Sequence, residues 1–347
     1  NKTGTSPRTF TAGTSFNNTG TVNVNSGFFD LATNGTDTGS YASSGTGEIR
    51  FSGGQRSLGA PFATVNLGDI TISGATVNVS GIATVNISNL TMTGGILRGL
   101  GTINVTDTFN WTGGAISNAG NFTTSNTSTS TLTSSLHLGN STWNNEGVID
   151  WNGTNGDSVD YDYFYLTSSA VLNNSGTFND NTSSSTAGIQ SQLGSIGELS
   201  AAINNSGTWN KTGTSPRTFT AGTSFNNAGT VNVSSGFFDL ATDGIDTGSY
   251  ASTGTGEVRF FSGIRTLVGG DIGDITISGG LVVVTGTINV SNLAMTGGTL
   301  RGSGTINVTD TFNWTSGAIW YVDNFTTSNT AISTVMTDDN GFFSDSI

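Results

Sequence analysis

The densest set of chemically capable side chains lies between Asp150 and Asp162, where Asp150, Asn152, Asn155, Asp157, Asp160 and Asp162 all offer hard oxygen atoms. No Lys or Arg occurs anywhere between Asn118 and Trp209 to neutralise them in sequence. Calcium is the cation that suits such a set, since it binds roughly six to eight oxygens in flexible geometry. Asp150, Asp157, Asp160 and Asp162 are therefore the candidate metal ligands, although the spacing is not that of an EF-hand loop and a solvated acidic loop would carry the same residues. Asp160 and Asp162 also alternate in Ser-Val-Asp-Tyr-Asp-Tyr-Phe-Tyr-Leu. In an extended strand their carboxylates share one face about 7 Å apart, within the roughly 6.5–9.5 Å of inverting glycosidases. Any Asp-x-Asp strand produces that spacing. Tyr161, Tyr163 and Tyr165 fall on the opposite face, as a sugar-stacking strip or as core.

Other chemistries are excluded by what the chain lacks. His137 is the single histidine, which removes Ser-His pairs and multi-histidine metal sites; flanked by Leu136 and Leu138, it reads as a surface residue. Without cysteine there is no disulfide or thiolate site. The glycines nowhere form a phosphate loop. Beyond calcium, no cofactor is expected. The net charge of −13 opposes binding to nucleic acid or to an anionic membrane, and the longest apolar runs, such as Leu281 to Val284, are far too short to cross a bilayer.

Elsewhere all the basic residues and many of the acids are duplicated. Lys2 pairs with Lys211, Arg8 with Arg217, Arg50 with Arg259, Arg56 with Arg265 and Arg98 with Arg301, which accounts for all 10 basic residues. The acids at 30/239, 37/246, 48/257, 69/274 and 107/310 repeat likewise. A catalytic constellation is normally single, so these copies are expected to be structural, as surface ion pairs worth about 0–1 kcal/mol each. Glu48 and Arg50 should share one face of one strand.

Duplication sets the architecture. Residues 1–18 recur unchanged at 210–227, an offset of 209. The expected organisation is a first long repeat over 1–209, with its acidic, long-looped part at 118–209, and a second, incomplete one over 210–347. Asn1 corresponds to Asn210 inside a strand-like segment, as in a processed product or a slice of a longer array. Within each long repeat a shorter unit returns: Asn-Asn-Ser-Gly-Thr-Trp-Asn at 204–210, Asn-Asn-Ala-Gly-Thr-Val-Asn at 226–232, and GTINV at 101–105, 286–290 and 304–308. Gly20 and Gly47 are 27 residues apart, Gly101 and Gly120 are 19 apart, and Gly176 and Gly207 are 31 apart.

Each unit is a turn and a strand. In Thr21-Val22-Asn23-Val24 the valines point one way and Thr and Asn the other, so Val22, Val24, Val85, Ile103, Val105, Phe122, Ile149, Phe178, Trp209, Val231, Ile288, Ile306 and Val308 should line one core. The composition, with 33% hydrophobic and only 10% charged residues but 20 Phe, separates this from disorder, which is charged and aromatic-poor. No helical periodicity with a cap is present. One marker strand per unit is too few for a propeller blade of about 40–45 residues. The fold class is therefore all-β: a parallel β-helix, or β-solenoid, of roughly 15 coils of about 18–31 residues. In register, Thr-x-Asn pairs such as Thr84/Asn86 and Thr102/Asn104 should stack into hydrogen-bonded ladders. A flat threonine array that binds ice is a further reading of them.

These NNxGTxNV coils resemble the β-helical repeat regions of large bacterial surface proteins, of the filamentous-haemagglutinin and autotransporter-passenger kind. The resemblance covers most of the chain as a pattern. It implies an extracellular or cell-surface protein, fibre-forming or adhesive, without enzymatic activity. The alternatives are a β-helical polysaccharide lyase or hydrolase using the acidic segment, or a calcium- or ice-binding module. The partners expected are another coil at an open strand edge, through head-to-tail self-association or continuation of a longer repeat chain, and surface polysaccharide.

Overall fold

A computed structural model describes residues 1–153, 163–183, 188–191, 201–220, 222–335 and 343–344. Every described element is a β-strand. The protein is an all-β parallel β-solenoid of about 14 turns. It divides into two compact units, Asn1–Thr177 and Phe178–Ile347.

In the first unit, strand Thr64–Ile72 lies parallel on Thr84–Thr124 with Val65 on Val85, Leu67 on Ile87, Ile70 on Leu90 and Ile72 on Met92. Like stacks on like because the alternation within each strand is copied from coil to coil, so the register that pairs the backbones also closes the core. The second unit repeats the arrangement, with Ile275 on Leu293 and Ile277 on Met295. Burial contributes about 1.5–3 kcal/mol per large apolar side chain, and the expected core residues are buried in both units with one exception. Val22 is only half-buried, because it stacks on Tyr41 on one side and faces an open depression on the other.

Coil length varies as the sequence implies. Ladder partners are 18 residues apart at Asn86 and Asn104, 29 at Asn144 and Asn173, and 31 at Asn179 and Asn210. Strand Thr84–Thr124 runs for 41 residues because it turns its corners without leaving the ladder. Gly95 and Gly114 form one such corner at φ +75° and +83°; a Cβ on Gly114 would lie 2.6 Å from the Gly95 carbonyl oxygen. That close approach and the left-handed backbone require glycine.

The Asn-Asn pairs divide their work across the wall. The first Asn of a pair faces outward in a ladder, with Asn173 donating to Asn144 at 2.8 Å and Asn226 to Asn204 at 2.9 Å. The second is buried and bonds inside: Asn145 donates to Asn174 at 2.7 Å and Asn205 to Asn227 at 2.9 Å. Fixed amide pairs at these turns satisfy polar groups that would otherwise be costly to bury.

Candidate functional site

Of the candidate metal ligands, Asp157, Asp160 and Asp162 lie outside the described residues. Asp150 projects outward from strand Val148–Trp151, between the inward Ile149 and Trp151 and in register with Thr131. Among the described residues, no three His, Cys, Asp or Glu side chains come together in a group able to hold a metal.

Of the tyrosine strip, Tyr161 lies outside the described residues, and strand alternation places the other two. In Tyr163–Thr167 the inward positions belong to Phe164 and Leu166, leaving Tyr163 and Tyr165 half-buried on the outer face rather than in the core. Their rings are 5.4 Å apart, and the His137 ring lies 4.8 Å from Tyr165. His137 thus joins a small aromatic patch, and partial burial lowers its pKa. Leu136 and Leu138 beside it are core residues.

Two shallow grooves occupy equivalent places in the two copies. The first, about 640 Å³, is lined by residues including Glu48, Arg50, Asp69, Thr71 and Thr91; the second, about 240 Å³, includes Glu257, Asp274, Thr276 and Asn292. Glu48 and Arg50 do share a face: Arg50 Nε and Nη2 donate to the carboxylate at 2.6 and 3.0 Å. Partial burial would raise the Glu48 pKa, but the hydrogen bonds from Arg50 and Thr71 and the Arg50 charge together outweigh it, and the net shift is downward. In the second copy Arg259 turns instead to Asp239, at 2.6 and 2.7 Å, on the neighbouring coil. Both guanidiniums lie 3.6 Å from a ring centroid, Phe28 or Phe237. An arginine with a carboxylate on each side and an aromatic floor is a packing device, and its two arrangements show that either acid serves it.

The largest departure from the sequence reading concerns the other arginines. Arg56, Arg217 and Arg265 are fully buried, not surface residues, and so are their partners Asp37, Asp180 and Asp246. Arg56 Nε donates to Asp37 at 3.0 Å, and Nη1 reaches the Phe16 carbonyl at 2.9 Å. Tyr41 donates to the same Asp37 at 2.7 Å. The second copy reproduces the cluster: Arg265 Nε to Asp246 at 3.0 Å, Nη1 to the Phe225 carbonyl at 2.7 Å, and Tyr250 to Asp246 at 2.6 Å. Burial, then the adjacent carboxylate, pushes both tyrosine hydroxyls well above their ordinary pKa. The signal in the sequence was an Asp, a Tyr four residues later and an Arg one 19-residue coil later, present in both copies.

Sealed in the core, these carboxylates have no open side toward a substrate; each is tied by its arginine to another coil, while Tyr41, Tyr250 and Thr182 hold Asp37, Asp246 and Asp180 from within the same coil. No known protein family, curated protein or solved structure matches the chain.

Proposed function

We propose that the protein is an extracellular structural solenoid of a bacterial surface or matrix, fibre-forming or adhesive and without catalytic activity. The observation that carries this reading is the duplicated Asp-Tyr-Arg cluster. The second copy spends its arginine and aspartate on the same buried coil-to-coil ties as the first, with the same tyrosine bracing the aspartate inside its own coil, which lengthens a scaffold and adds nothing to a reaction. The half-exposed patch of His137, Tyr163 and Tyr165 suits contact with surface polysaccharide, since aromatic rings pair an apolar face with a polar handle.

The test is a panel of neutral and acidic polysaccharides incubated with the purified chain. Binding without depolymerisation is the expected result, and electron microscopy of the same material should show filaments or elongated particles. Turnover abolished by Asp160→Asn or Asp162→Asn would replace this reading with a lyase or hydrolase. The calcium question at Asp150, Asp157, Asp160 and Asp162 is separable: a melting temperature raised by calcium and lowered by chelator would establish the site.

A further inference from the structure

We infer that an apolar patch on the outer wall of the second copy pairs with the same patch of a second molecule, the two walls packing face to face with their coils in opposite order. The first copy, coil for coil, has no such patch.

Around Arg56 and Arg265 the two copies keep the same register. In the first, Thr36 lies on Ser57, then Asn78, then Arg98, and Gln55 lies on Thr76 and Ile96. In the second, Ile245 lies on Thr266, then Val283, then Arg301, and Ile264 lies on Leu281 and Thr299. All of these positions face outward, because the residues that alternate with them, such as Arg265, Val282 and Leu300, are buried. Ile245, Ile264, Leu281 and Val283 therefore stand on the wall where the first copy has Thr36, Gln55, Thr76 and Asn78. One exchange runs the other way, Thr299 standing where the first copy has Ile96. Phe261 and Val268, beyond the two ends of strand Ile264–Leu267, take the places of Ser52 and Gly59. Ile245 is 55% exposed, Phe261 52% and Ile264 48%.

The first copy proves that these coils close with polar residues on this wall, so the fold does not require the aliphatic ones. A contiguous apolar patch that folding does not require marks a contact surface. Branched aliphatic side chains give the hydroxyls of a sugar no partner, and a net charge of −13 opposes an anionic membrane. A second copy of the wall fits in both shape and charge. Two flat sheet faces pack about 10 Å apart with their side chains interleaved, and a twofold axis makes one patch its own complement. With that axis running along the strands, between the coils of Ile264 and Leu281, Ile264 of one molecule lies over Leu281 of the other. Thr266 likewise lies over Val283, and Arg301 comes over the strand of Asp243 and Ile245. Asp243 and Arg301 are exposed at opposite ends of the patch, and neither has an ion-pair partner among the described residues. Reversing the coil order brings each acid beside the other molecule's base, which fixes orientation more than affinity.

The inference deepens the structural reading above by naming one partner, and the two fail separately. Polysaccharide turnover would sink that reading and leave this contact untouched, whereas a monomeric chain without turnover would sink only the contact. Sedimentation of the intact chain should show a reversible, concentration-dependent dimer. Ile264→Gln/Leu281→Thr installs the first copy's residues, which the same coils already accommodate, and should weaken the dimer at least about tenfold with the melting temperature of the monomer unchanged. Arg301→Asp should weaken it less. Asp243→Asn keeps the acceptor for the Ile264 amide, as Asn34 does for Gln55, and should recover part of the Arg301→Asp loss. The chain has no cysteine, so an Ile264→Cys chain mixed with a Leu281→Cys chain reports the orientation: oxidation should link the two kinds to each other faster than either to itself. A chain monomeric at every concentration, or a dimer indifferent to Ile264→Gln/Leu281→Thr, overturns the proposal. So does preferential linking of Ile264→Cys chains to one another, or a monomer that floats with phosphatidylcholine vesicles, which would make a lipid surface the occupant.

Discussion

Arg8 and Arg217 occupy the same position in the same eighteen-residue sequence, and one is exposed while the other is buried to the last atom. Phe10 is half-buried where Phe219 is fully enclosed. By contrast Arg56 and Arg265, two coils further on, are buried alike and make the same bonds. In a solenoid, then, a coil dictates where its side chains point, and the next coil decides how much those side chains are worth. The same guanidinium is a solvated charge at one position and an indispensable one at the other.

This contrast can be broken most decisively by deleting the guanidiniums. Arg217→Ala leaves Asp180 buried without its partner and should cost about 3–5 kcal/mol, whereas Arg8→Ala should stay within about 0.5 kcal/mol. Arg56→Ala and Arg265→Ala, the matched pair, should each cost about 3–5 kcal/mol and agree with one another. Denaturant unfolding read by hydrogen exchange at each coil distinguishes all four; an Arg8→Ala loss as large as that of Arg217→Ala would refute the neighbour-coil account.

Next in size are the corners, where the two copies should behave alike. Gly114→Ala and Gly317→Ala each place a Cβ 2.6 Å from a backbone carbonyl oxygen, Gly95 or Gly297, at φ +83° and +93°. Strain of this kind costs about 1–3 kcal/mol, and a neutral result in thermal melts at either position would show that the corner can open.

Alkaline titration gives a smaller effect. Tyr41 and Tyr250 ionise above the ordinary value of 10.0 in the folded protein, burial being the main cause and the neighbouring Asp the next. The folded state therefore holds these protons where the unfolded state releases them. Their contribution to stability is complete below about pH 10 and is lost progressively as pH rises toward the folded values. Tyr41→Phe/Tyr250→Phe should flatten the fall in stability above pH 10; an unchanged slope would mean that neither hydroxyl is protonated by its site.

The smallest effect belongs to the outer ladder. Asn86 both donates to Asn66 and accepts from Asn104, each at 2.9 Å, so Asn86→Ala removes two partly solvated bonds at a net cost of about 0.5–1.5 kcal/mol. Asn289→Ala, whose neighbours are Asp271 and Asn307 at 2.7 and 3.0 Å, should cost a similar amount.

The coil architecture was legible because alternation leaves few choices. Val, Ile and Phe at every second position of GTINV-like units state the inward face, and Thr and Asn between them state the outward one. What escaped was burial of charge. An Arg in a short strand reads as solvated by default, and the partner that overturns this lies 19 residues away in Asp37 and Asp246 but 37 away in Asp180. Only the coil period connects the first two, and the long coil hides the third. Val22 failed for the converse reason: its alternation was correct, but no strand alternation reveals whether a further coil will pack on that face. The buried second Asn of each Asn-Asn pair was likewise invisible, because adjacent Asn residues look equally polar until one of them is turned inward.

Arg56 and Arg265 have a mechanical consequence. Arg56 grips Asp37, 19 residues back, and the Phe16 carbonyl, 40 residues back, so one side chain fastens three successive coils. Arg265 does the same from Asp246 to Phe225. Under tension applied to a chain end, coils held only by their ladders peel away singly, like turns leaving a spool. The stretches from Phe16 to Arg56 and from Phe225 to Arg265 resist as blocks, because no turn within them can leave until the guanidinium lets go of the other two. Placed once in each copy, these clamps act as stops that halt a tear before it runs the length of its unit.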